Sequence, residues 1–145
     1  MIYRRHSECG FSLIELLLVL AIIGIISGIA IPAYMGQRRR ARVIGDAKSN
    51  ANSLMMALEN VKAEKGIYAT AGTYSWTASG GFPSASTNPA PSFSPKGNSF
   101  MNYSATVGST GLTYALKVTD PKTSSATVLT ADQSGAITLD PSYNK

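Results

Sequence analysis

Residues 11–31, FSLIELLLVLAIIGIISGIAI, decide the fold, because Glu15 is the only charged residue among them. As a helix rising about 1.5 Å per residue, this stretch is long enough to cross the hydrocarbon core of a bilayer. A secretory signal peptide would carry small residues at a cleavage site after the apolar stretch, and residues 34–38, YMGQR, match that pattern poorly. We therefore predict a retained membrane helix, for which a plain uncleaved anchor is the simplest interpretation.

Glu15 is the unusual residue of this helix, since it lies only four positions after Phe11. A carboxylate inside a membrane helix costs roughly 2.5–3.5 kcal/mol even on lenient insertion scales, so such residues are usually functional. The simpler alternative is that Glu15 lies near the interface and extends its carboxylate into the headgroups. The position alone leaves both interpretations open.

The residues around Glu15 provide a second signal. The string GFSLIE, residues 10–15, follows Arg4 and Arg5 and opens the apolar helix. It resembles the processing site of type IV prepilins and the related pseudopilins. The resemblance implies that residues 1–10 are a leader, that a prepilin peptidase cuts after Gly10, and that Phe11 becomes the N-methylated first residue.

The same resemblance implies a role for Glu15 in assembly, where it would face the terminal amine of a neighbouring subunit. In a bundle of low dielectric, an unpaired carboxylate and an unpaired ammonium are each costly, and pairing them offsets much of the penalty. Such a pair would also fix the axial register between subunits. We therefore predict that Glu15 is the assembly residue.

The resemblance further implies the cellular location of the chain and its partners. The expected product is a homo-oligomeric helical filament, made by a prepilin peptidase/N-methyltransferase, an inner-membrane assembly platform and an assembly ATPase. Before assembly, the chain would span the bacterial inner membrane once with its head outside the cytoplasm. After assembly it would belong to an extracellular pilus, a type IV fimbria that serves cell adhesion or twitching motility.

Gly24, Gly28 and Pro32 follow one another at intervals of four residues. Small residues at this spacing let helices approach closely in lipid, although the pattern is common by chance. Pro32 cannot donate a hydrogen bond to the carbonyl of Gly28, which kinks or loosens a helix. By resemblance to pilins, we expect residues 24–32 to unwind when the subunit leaves the membrane for the filament.

A basic cluster follows the apolar stretch and consists of Arg38, Arg39, Arg40 and Arg42. Such a cluster suits phosphates, of lipid headgroups or of nucleic acid, and its simplest interpretation is a solvated or headgroup-facing flank. Counted by the positive-inside rule, these arginines should keep this side of the helix in the cytoplasm. The prepilin orientation requires the opposite, and the processing motif is the more specific of the two signals.

Cysteine and histidine occur once each, as Cys9 and His6. A chain processed after Gly10 would therefore lack thiol and imidazole groups, which excludes disulfides, serine–histidine catalysis and the usual zinc and haem ligands. It would keep 11 basic and 7 acidic residues, a net charge of +4. We predict no enzyme, no metal site and no cofactor.

The amphipathic half of the helix is predicted over residues 33–66, with Gly66 as its C-terminal stop. An apolar stripe recurs at intervals of three and four residues, which is typical of one helix face. The stripe consists of Ile44, Ala47, Ala51, Leu54, Leu58 and Val61. Joined to the apolar half, residues 11–32, it would form one helix of about 55 residues.

A β-rich head is predicted for residues 67–145, because the apolar pattern changes there to a period of two. Four strands are expected at residues 103–107, 112–118, 128–131 and 136–139, and a fifth short strand is possible at 74–77. Residues 80–97 contain four prolines among serines and are predicted to form an exposed loop. Trp76 is expected at the edge of the core. The predicted class is α+β, the pilin fold.

Two alternatives share this architecture. One is a pseudopilin of a type II secretion system, although Asp132 and Asp140 stand apart without the dense acidic loop that calcium needs. The other is a DNA-uptake pilin, in which the arginine cluster or Lys96, Lys117 and Lys122 would contact phosphate. The absence of an acidic loop favours the pilus over the pseudopilus.

Overall fold

The computed structural model describes residues 10–77, 79–84, 86–97 and 100–143, so most of the predicted leader lies outside the described residues. The elements in chain order are α1 (Leu13–Lys65), β1 (Gly72–Trp76), β2 (Asn102–Val107), β3 (Tyr114–Asp120), a 3-10 turn (Pro121–Thr123), β4 (Ala126–Asp132) and β5 (Ile137–Leu139). One long helix followed by an antiparallel sheet confirms the predicted α+β class. The chain divides into two compact units, Met1–Arg39 and Arg40–Lys145.

The first unit is helical from Leu13 onward and buries almost none of its side chains. Its large apolar side chains from Phe11 to Ile31 are between 43 and 78% exposed. The helix is long and apolar enough to cross a membrane, with a mean hydropathy of 2.7 in its most apolar window. A continuous apolar surface of this kind is stable only when lipid or other protein covers it.

The second unit, which we call the head, buries the predicted stripe of α1 in a core shared with the sheet. Ala47, Ala51, Leu54 and Leu58 are fully buried, as predicted. Ile44 and Val61, at the two ends of the stripe, are only half-buried. The buried face is also wider than the stripe, because it includes Val43, Asn50, Met55 and Ala57.

The end of α1 follows from Gly66. Its φ of +78° is the left-handed conformation that glycine adopts most readily at a helix C-terminus. The amide of Gly66 donates to the carbonyl of Lys62 over 2.8 Å, which satisfies one of the last helical carbonyls. The predicted stop at this residue is confirmed.

The sheet has five strands in the order β1-β2-β3-β4-β5, and each pair of neighbours is antiparallel. The fifth strand, foreseen only as a possibility, is β1 at Gly72–Trp76. Strand β3 begins two residues later than predicted, because the amide of Gly108 donates to the carbonyl of Thr113 and keeps Leu112 in the turn. It also ends later, at Asp120, whose side chain continues the buried face of the strand.

The β2–β3 turn approaches the segment that follows α1. The amide of Tyr68 donates to the carbonyl of Gly111 over 2.8 Å. Gly111 has a φ of +71°, and a Cβ at this position would lie 2.8 Å from the carbonyl oxygen of Ala69. Only glycine meets both requirements without a shift of backbone.

Two sequence-based expectations about the core were wrong. The proline-containing loop at residues 80–97 is not simply exposed, because Ala90 and Phe93 are buried in the core. Trp76 lies inside the core rather than at its edge, with no exposed surface. Its ring packs edge-to-face on Phe93 at a centroid distance of 5.7 Å, a favourable aromatic geometry. The loop therefore covers Trp76, which local apolar patterning could not show.

Candidate functional site

The predicted processing site lies just before α1. Gly10, Phe11 and Ser12 are exposed and not helical, and the helix begins at Leu13. Apart from its neighbours in the chain, no atom of the described residues lies within 4 Å of a Cβ built at Gly10. A protease needs accessible backbone outside regular secondary structure, and Gly10 and Phe11 are exposed and not helical.

Glu15 lies in the first turn of α1 and is exposed. The first turn of a helix leaves backbone amides without intrahelical partners and carries the positive end of the helix dipole, so a carboxylate is favoured there. Since the side chain projects from the surface of the first unit, its carboxylate is accessible to a second molecule. The predicted assembly role of Glu15 is compatible with this position and stays a prediction.

Gly24 and Gly28 lie one turn apart on the same helix face, and apart from the backbone of the helix itself no heavy atom of the described residues lies within 4 Å of a Cβ built at either position. Another helix could therefore approach the backbone closely here. Pro32 lies inside α1, and the helix continues through it. Because Pro32 has no backbone N–H, it cannot donate a hydrogen bond to the carbonyl of Gly28. The helical hydrogen bonding of this segment is therefore weakest at Gly28.

The arginine cluster is exposed at all four positions, Arg38, Arg39, Arg40 and Arg42. Arg38 and Arg39 end the first unit, and Arg40 and Arg42 begin the head. Exposed guanidinium groups so close in sequence are suited to contact with phosphates.

Asn50 is a structural residue of the head that sequence reasoning missed. Its amide nitrogen donates to the carbonyl of Lys96 over 2.7 Å and to the hydroxyl of Tyr103 over 2.9 Å, while its amide oxygen accepts from the amide of Lys96 over 3.0 Å. One buried side chain thus joins the helix, the proline-containing loop and the sheet. The sequence did contain a signal for this residue. Asn50 is a polar residue that lies between Ala47 and Leu54 on the apolar face of the helix.

Burial raises the pKa of Tyr103 to about 12, and the charge of Asp46 adds to this effect, while the hydrogen bond with Asn50 opposes it. Burial likewise raises the pKa of Tyr68 to about 12, together with the carboxylate of Glu59, which accepts a hydrogen bond from the Tyr68 hydroxyl. Both phenols therefore remain protonated at neutral pH and act as structural hydrogen-bonding groups.

Asp120 forms the second polar centre of the head that the sequence did not reveal. This buried carboxylate accepts hydrogen bonds from the amide of Lys122 (2.9 Å), the hydroxyl of Thr123 (3.0 Å) and the hydroxyl of Tyr143 (2.8 Å). Tyr143 belongs to the last described segment of the chain, so the contact fastens that segment to the sheet. The position of Asp120 on the buried face of a period-two strand is the signal that could have identified it.

Asp132 and Asp140 act as local turn residues. Each accepts hydrogen bonds from the amide and the hydroxyl of the serine two positions later, and these bonds lower the pKa of both carboxyl groups. Within the described part of the chain, no group of three or more His, Cys, Asp or Glu residues is placed to hold a metal ion.

Comparison with known proteins finds one family model and several similar proteins, each over less than half of the chain. The family model described as "Prokaryotic N-terminal methylation motif" matches residues 5–31. Fimbrial protein Q of Moraxella bovis is 38% identical over 63 residues, covering 41% of this chain and 40% of that protein. The type IV major pilin protein PilA of Myxococcus xanthus is 42% identical over 59 residues, covering 41% of this chain and 26% of that protein.

A secretion-system protein is also similar. The type II secretion system core protein G of Klebsiella michiganensis is 33% identical over 73 residues, covering 46% of this chain and 51% of that protein. The chain thus spans less than half the length of the two fimbrial relatives and about half that of the secretion protein. No solved structure matches the chain.

Proposed function

We propose that the chain is a member of the type IV pilin-like superfamily, whose N-terminal methylation motif it carries at residues 5–31, and that it is a structural subunit of a type IV pilus. The subunit is processed between Gly10 and Phe11 and polymerised through the apolar half of α1. The observation that carries this proposal is the exposed apolar surface at residues 11–31, with Glu15 in the first helical turn. The role is structural rather than catalytic.

The physical basis is the burial of this surface in two successive environments. Complete burial of a Leu or Ile side chain contributes roughly 1.5–3 kcal/mol, and this segment exposes more than ten large apolar side chains. Lipid covers them in the membrane-anchored precursor, and neighbouring helices cover them in the filament. The segment therefore always requires a partner that the rest of the chain does not supply.

Glu15 fixes the axial register between neighbouring helices, which non-directional apolar contacts alone do not fix. Apolar helices can slide past each other at little cost, whereas a carboxylate buried without a counter-charge is strongly unfavourable. The terminal amine of a processed neighbour, at Phe11, supplies that charge at only one axial displacement. The proposed pair thus selects one arrangement among many helix packings.

In this proposal, the transfer of the subunit from the membrane to the filament requires a helical segment that unwinds easily. This segment contains Gly24, Gly28 and Pro32. The glycines lower the helix propensity of the segment, and Pro32 removes one of its hydrogen bonds. Local unwinding at residues 24–32 then costs less than it would elsewhere in α1. The expected machinery comprises a prepilin peptidase/N-methyltransferase, an inner-membrane platform and an assembly ATPase.

The arginine cluster is assigned to the outer headgroups of the inner membrane before assembly. Arg38 follows Ile31 by seven residues, or about 10 Å of helix, which reaches the headgroup region of a bilayer whose core ends near Ile31. In this orientation the head lies outside the cytoplasm. After assembly the chain belongs to an extracellular pilus.

One second function has a specific observation in its favour. The similarity to a type II secretion system core protein covers the largest share of this chain among the relatives compared above, at 46%. A pseudopilin would share the same processing site, apolar helix and Glu15. The two functions differ in where the filament forms.

The test combines protein chemistry with microscopy. Mass spectrometry of the protein from its native cells is expected to show an N-methylated Phe11 as the first residue. Electron microscopy is expected to show surface filaments that disappear when the gene is deleted. A mature protein that begins at Met1 contradicts the proposal, and correct processing with a secretion defect but no surface filament supports the pseudopilin.

A further inference from the structure

The arginine cluster is the largest concentration of like charge in the chain. Residues 16–45 contain Arg38, Arg39, Arg40 and Arg42 and no other charged residue. From residue 46 onward the chain carries seven basic and six acidic residues, so its charge is nearly balanced there. The net positive charge of the processed chain is therefore concentrated in this one short segment.

The chain itself supplies little negative charge near the cluster. The next acid along the chain is Asp46, which is half-buried, and its carboxyl carbon would lie 2.9 Å from a Cβ at Gly97. This carboxylate therefore contacts the loop of the head. Lys48, two residues later, is exposed and adds a further positive charge. Asp46 thus offsets at most one of the four arginine charges.

The cluster follows the apolar segment at a distance that suits lipid headgroups. Arg38 lies seven residues after Ile31, or about 10 Å along the helix. Tyr34, between them, is 65% exposed, and tyrosine is enriched where membrane meets water. Helical side chains lean toward the N-terminus of their helix, so the long side chain of Arg38 extends back toward the apolar segment. A bilayer that surrounds residues 11–31 therefore brings phosphates within reach of Arg38.

The chemistry of the guanidinium group favours one class of phospholipid. Guanidinium groups form charge-assisted, often bidentate hydrogen bonds with phosphates. In a zwitterionic lipid, the ammonium group beside the phosphate repels arginine, whereas an anionic lipid such as phosphatidylglycerol has no ammonium group. Near an anionic surface, each Lys or Arg contributes roughly a fivefold preference, which decays over a Debye length of about 8 Å. Several arginines together therefore distinguish the two classes of lipid.

Nucleic acid presents the same phosphates, but the position of the cluster favours lipid. The apolar side chains of residues 11–31 are exposed and require lipid before assembly. Since the cluster follows on the same helix, the membrane that covers these side chains also holds phosphates beside the arginines at a high local concentration. Nucleic acid would have to be recruited from solution. The occupant that the chain itself selects is therefore a membrane surface.

We propose that the arginine cluster binds the phosphates of anionic phospholipids, so that the membrane-anchored precursor recruits these lipids around the end of its apolar helix. This inference rests on the proposed function, which brings the cluster to the headgroups, and it adds the class of lipid that the cluster selects. Zwitterionic lipids are displaced from this position.

Quenching by spin-labelled lipids measures which lipid lies next to the cluster. In a Cys9→Ser background, Gln37→Cys gives the full chain a single thiol beside Arg38, and this thiol carries a fluorophore. The labelled chain is reconstituted in phosphatidylcholine vesicles that contain a small fraction of nitroxide-labelled phosphatidylglycerol or phosphatidylcholine. We expect the apparent affinity for phosphatidylglycerol to be about tenfold higher than that for phosphatidylcholine.

Two matched sets of substitutions show whether the arginines cause this preference. Arg38→Gln, Arg40→Gln and Arg42→Gln combined are expected to reduce it to about twofold. The control neutralises three exposed lysines of the head: Lys65→Gln, Lys117→Gln and Lys122→Gln. It should leave the preference unchanged. Resistance to alkaline extraction shows that each variant is inserted, and fluorescence of Trp76, the only tryptophan, shows that its head is folded.

The outcomes separate the lipid contact from the proposed function. An inserted chain that both lipids quench equally overturns the lipid contact and leaves the pilus function intact. A preference that survives the three arginine substitutions, or that inorganic phosphate removes at matched ionic strength, overturns it as well. If vesicles show no lipid preference but the chain binds double-stranded DNA through the arginines, the cluster is a nucleic-acid site instead. A chain that alkali extracts from the vesicles contradicts the membrane anchor, so the proposed function and the lipid contact fail together.

Discussion

The first unit and the head contain parts of the same helix but use it in opposite ways. In residues 13–31 the helix carries large side chains, mostly Leu and Ile, and exposes them. In the head, the buried face of α1 includes the small residues Ala47, Ala51 and Ala57, and a sheet covers it. A helix that packs on one side against its own domain is amphipathic. A helix that is surrounded by lipid or by other subunits is apolar on every side.

This contrast predicts that the two units can be disabled separately. Glu15→Ala is expected to abolish filaments while leaving membrane insertion, leader cleavage and the folding of the head unchanged. The reason is that the proposed pairing partner of Glu15, the terminal amine at Phe11, lies in another subunit. Electron microscopy measures the filaments, and Trp76 fluorescence during urea unfolding measures the head. Normal filaments from this variant would show that the pairing model is wrong.

Asn50→Ala should have the reverse effect, since it damages the head alone. Removal of the side chain leaves the Lys96 backbone and the Tyr103 hydroxyl without their hydrogen bonds, and we expect a loss of about 3 kcal/mol in the free energy of unfolding. Urea unfolding followed by Trp76 fluorescence measures it. The control is Asn52→Ala, an exposed position on the same helix that should change stability by less than about 0.5 kcal/mol. Equal effects of the two substitutions would contradict the assigned role.

The head should also be sensitive to alkali. An unfolded tyrosine ionises near pH 10, whereas Tyr103 holds its proton until its folded pKa of about 12. Between these values the unfolded state binds fewer protons, so the stability of the head falls as pH rises from 10 to 12, by about 2 kcal/mol for this residue. The slope of unfolding free energy against pH measures the effect. Tyr103→Phe is expected to reduce that slope, and an unchanged slope would exclude Tyr103 as a cause.

The smallest effect is expected at the end of the described chain. Tyr143→Phe removes one hydrogen bond to the buried carboxylate of Asp120 and should lower the unfolding free energy by about 1 kcal/mol. Tyr34→Phe, an exposed tyrosine in the first unit, is the control and should have no measurable effect. Urea unfolding compares the two. A neutral Tyr143→Phe would show that the ring, rather than its hydroxyl, holds the segment.

The elements were predictable wherever a local pattern determined them. The end of α1 at Gly66, the pairing of β2 with β3 and the β4–β5 turn all follow from glycine placement and from an alternation of period two. The start of β3 was misplaced by two residues, because Leu112 continues the alternation but lies in a turn closed by Gly108 and Thr113. Local patterning cannot detect a hydrogen bond that ends a strand.

The polar centres of the head were the other part that sequence reasoning did not reach. Asn50 and Asp120 are polar residues at positions where the pattern requires apolar ones. Whether such a residue is buried depends on partners that are distant in the chain, such as Lys96, 46 residues from Asn50, and Tyr143, 23 residues from Asp120. Only a folded chain brings these groups within hydrogen-bonding distance.

The sequence by itself determined the apolar helix with its isolated acid Glu15 and the methylation motif at residues 5–31, from which processing between Gly10 and Phe11 is predicted, because an apolar helix and a motif are continuous segments. The tertiary structure alone decided that Phe93 of the loop at residues 80–97 packs on Trp76, and that Asn50 and Asp120 are buried with hydrogen-bond partners. Continuous features depend on neighbours along the chain. Burial and surface patches depend on neighbours in space, which local sequence patterns do not specify.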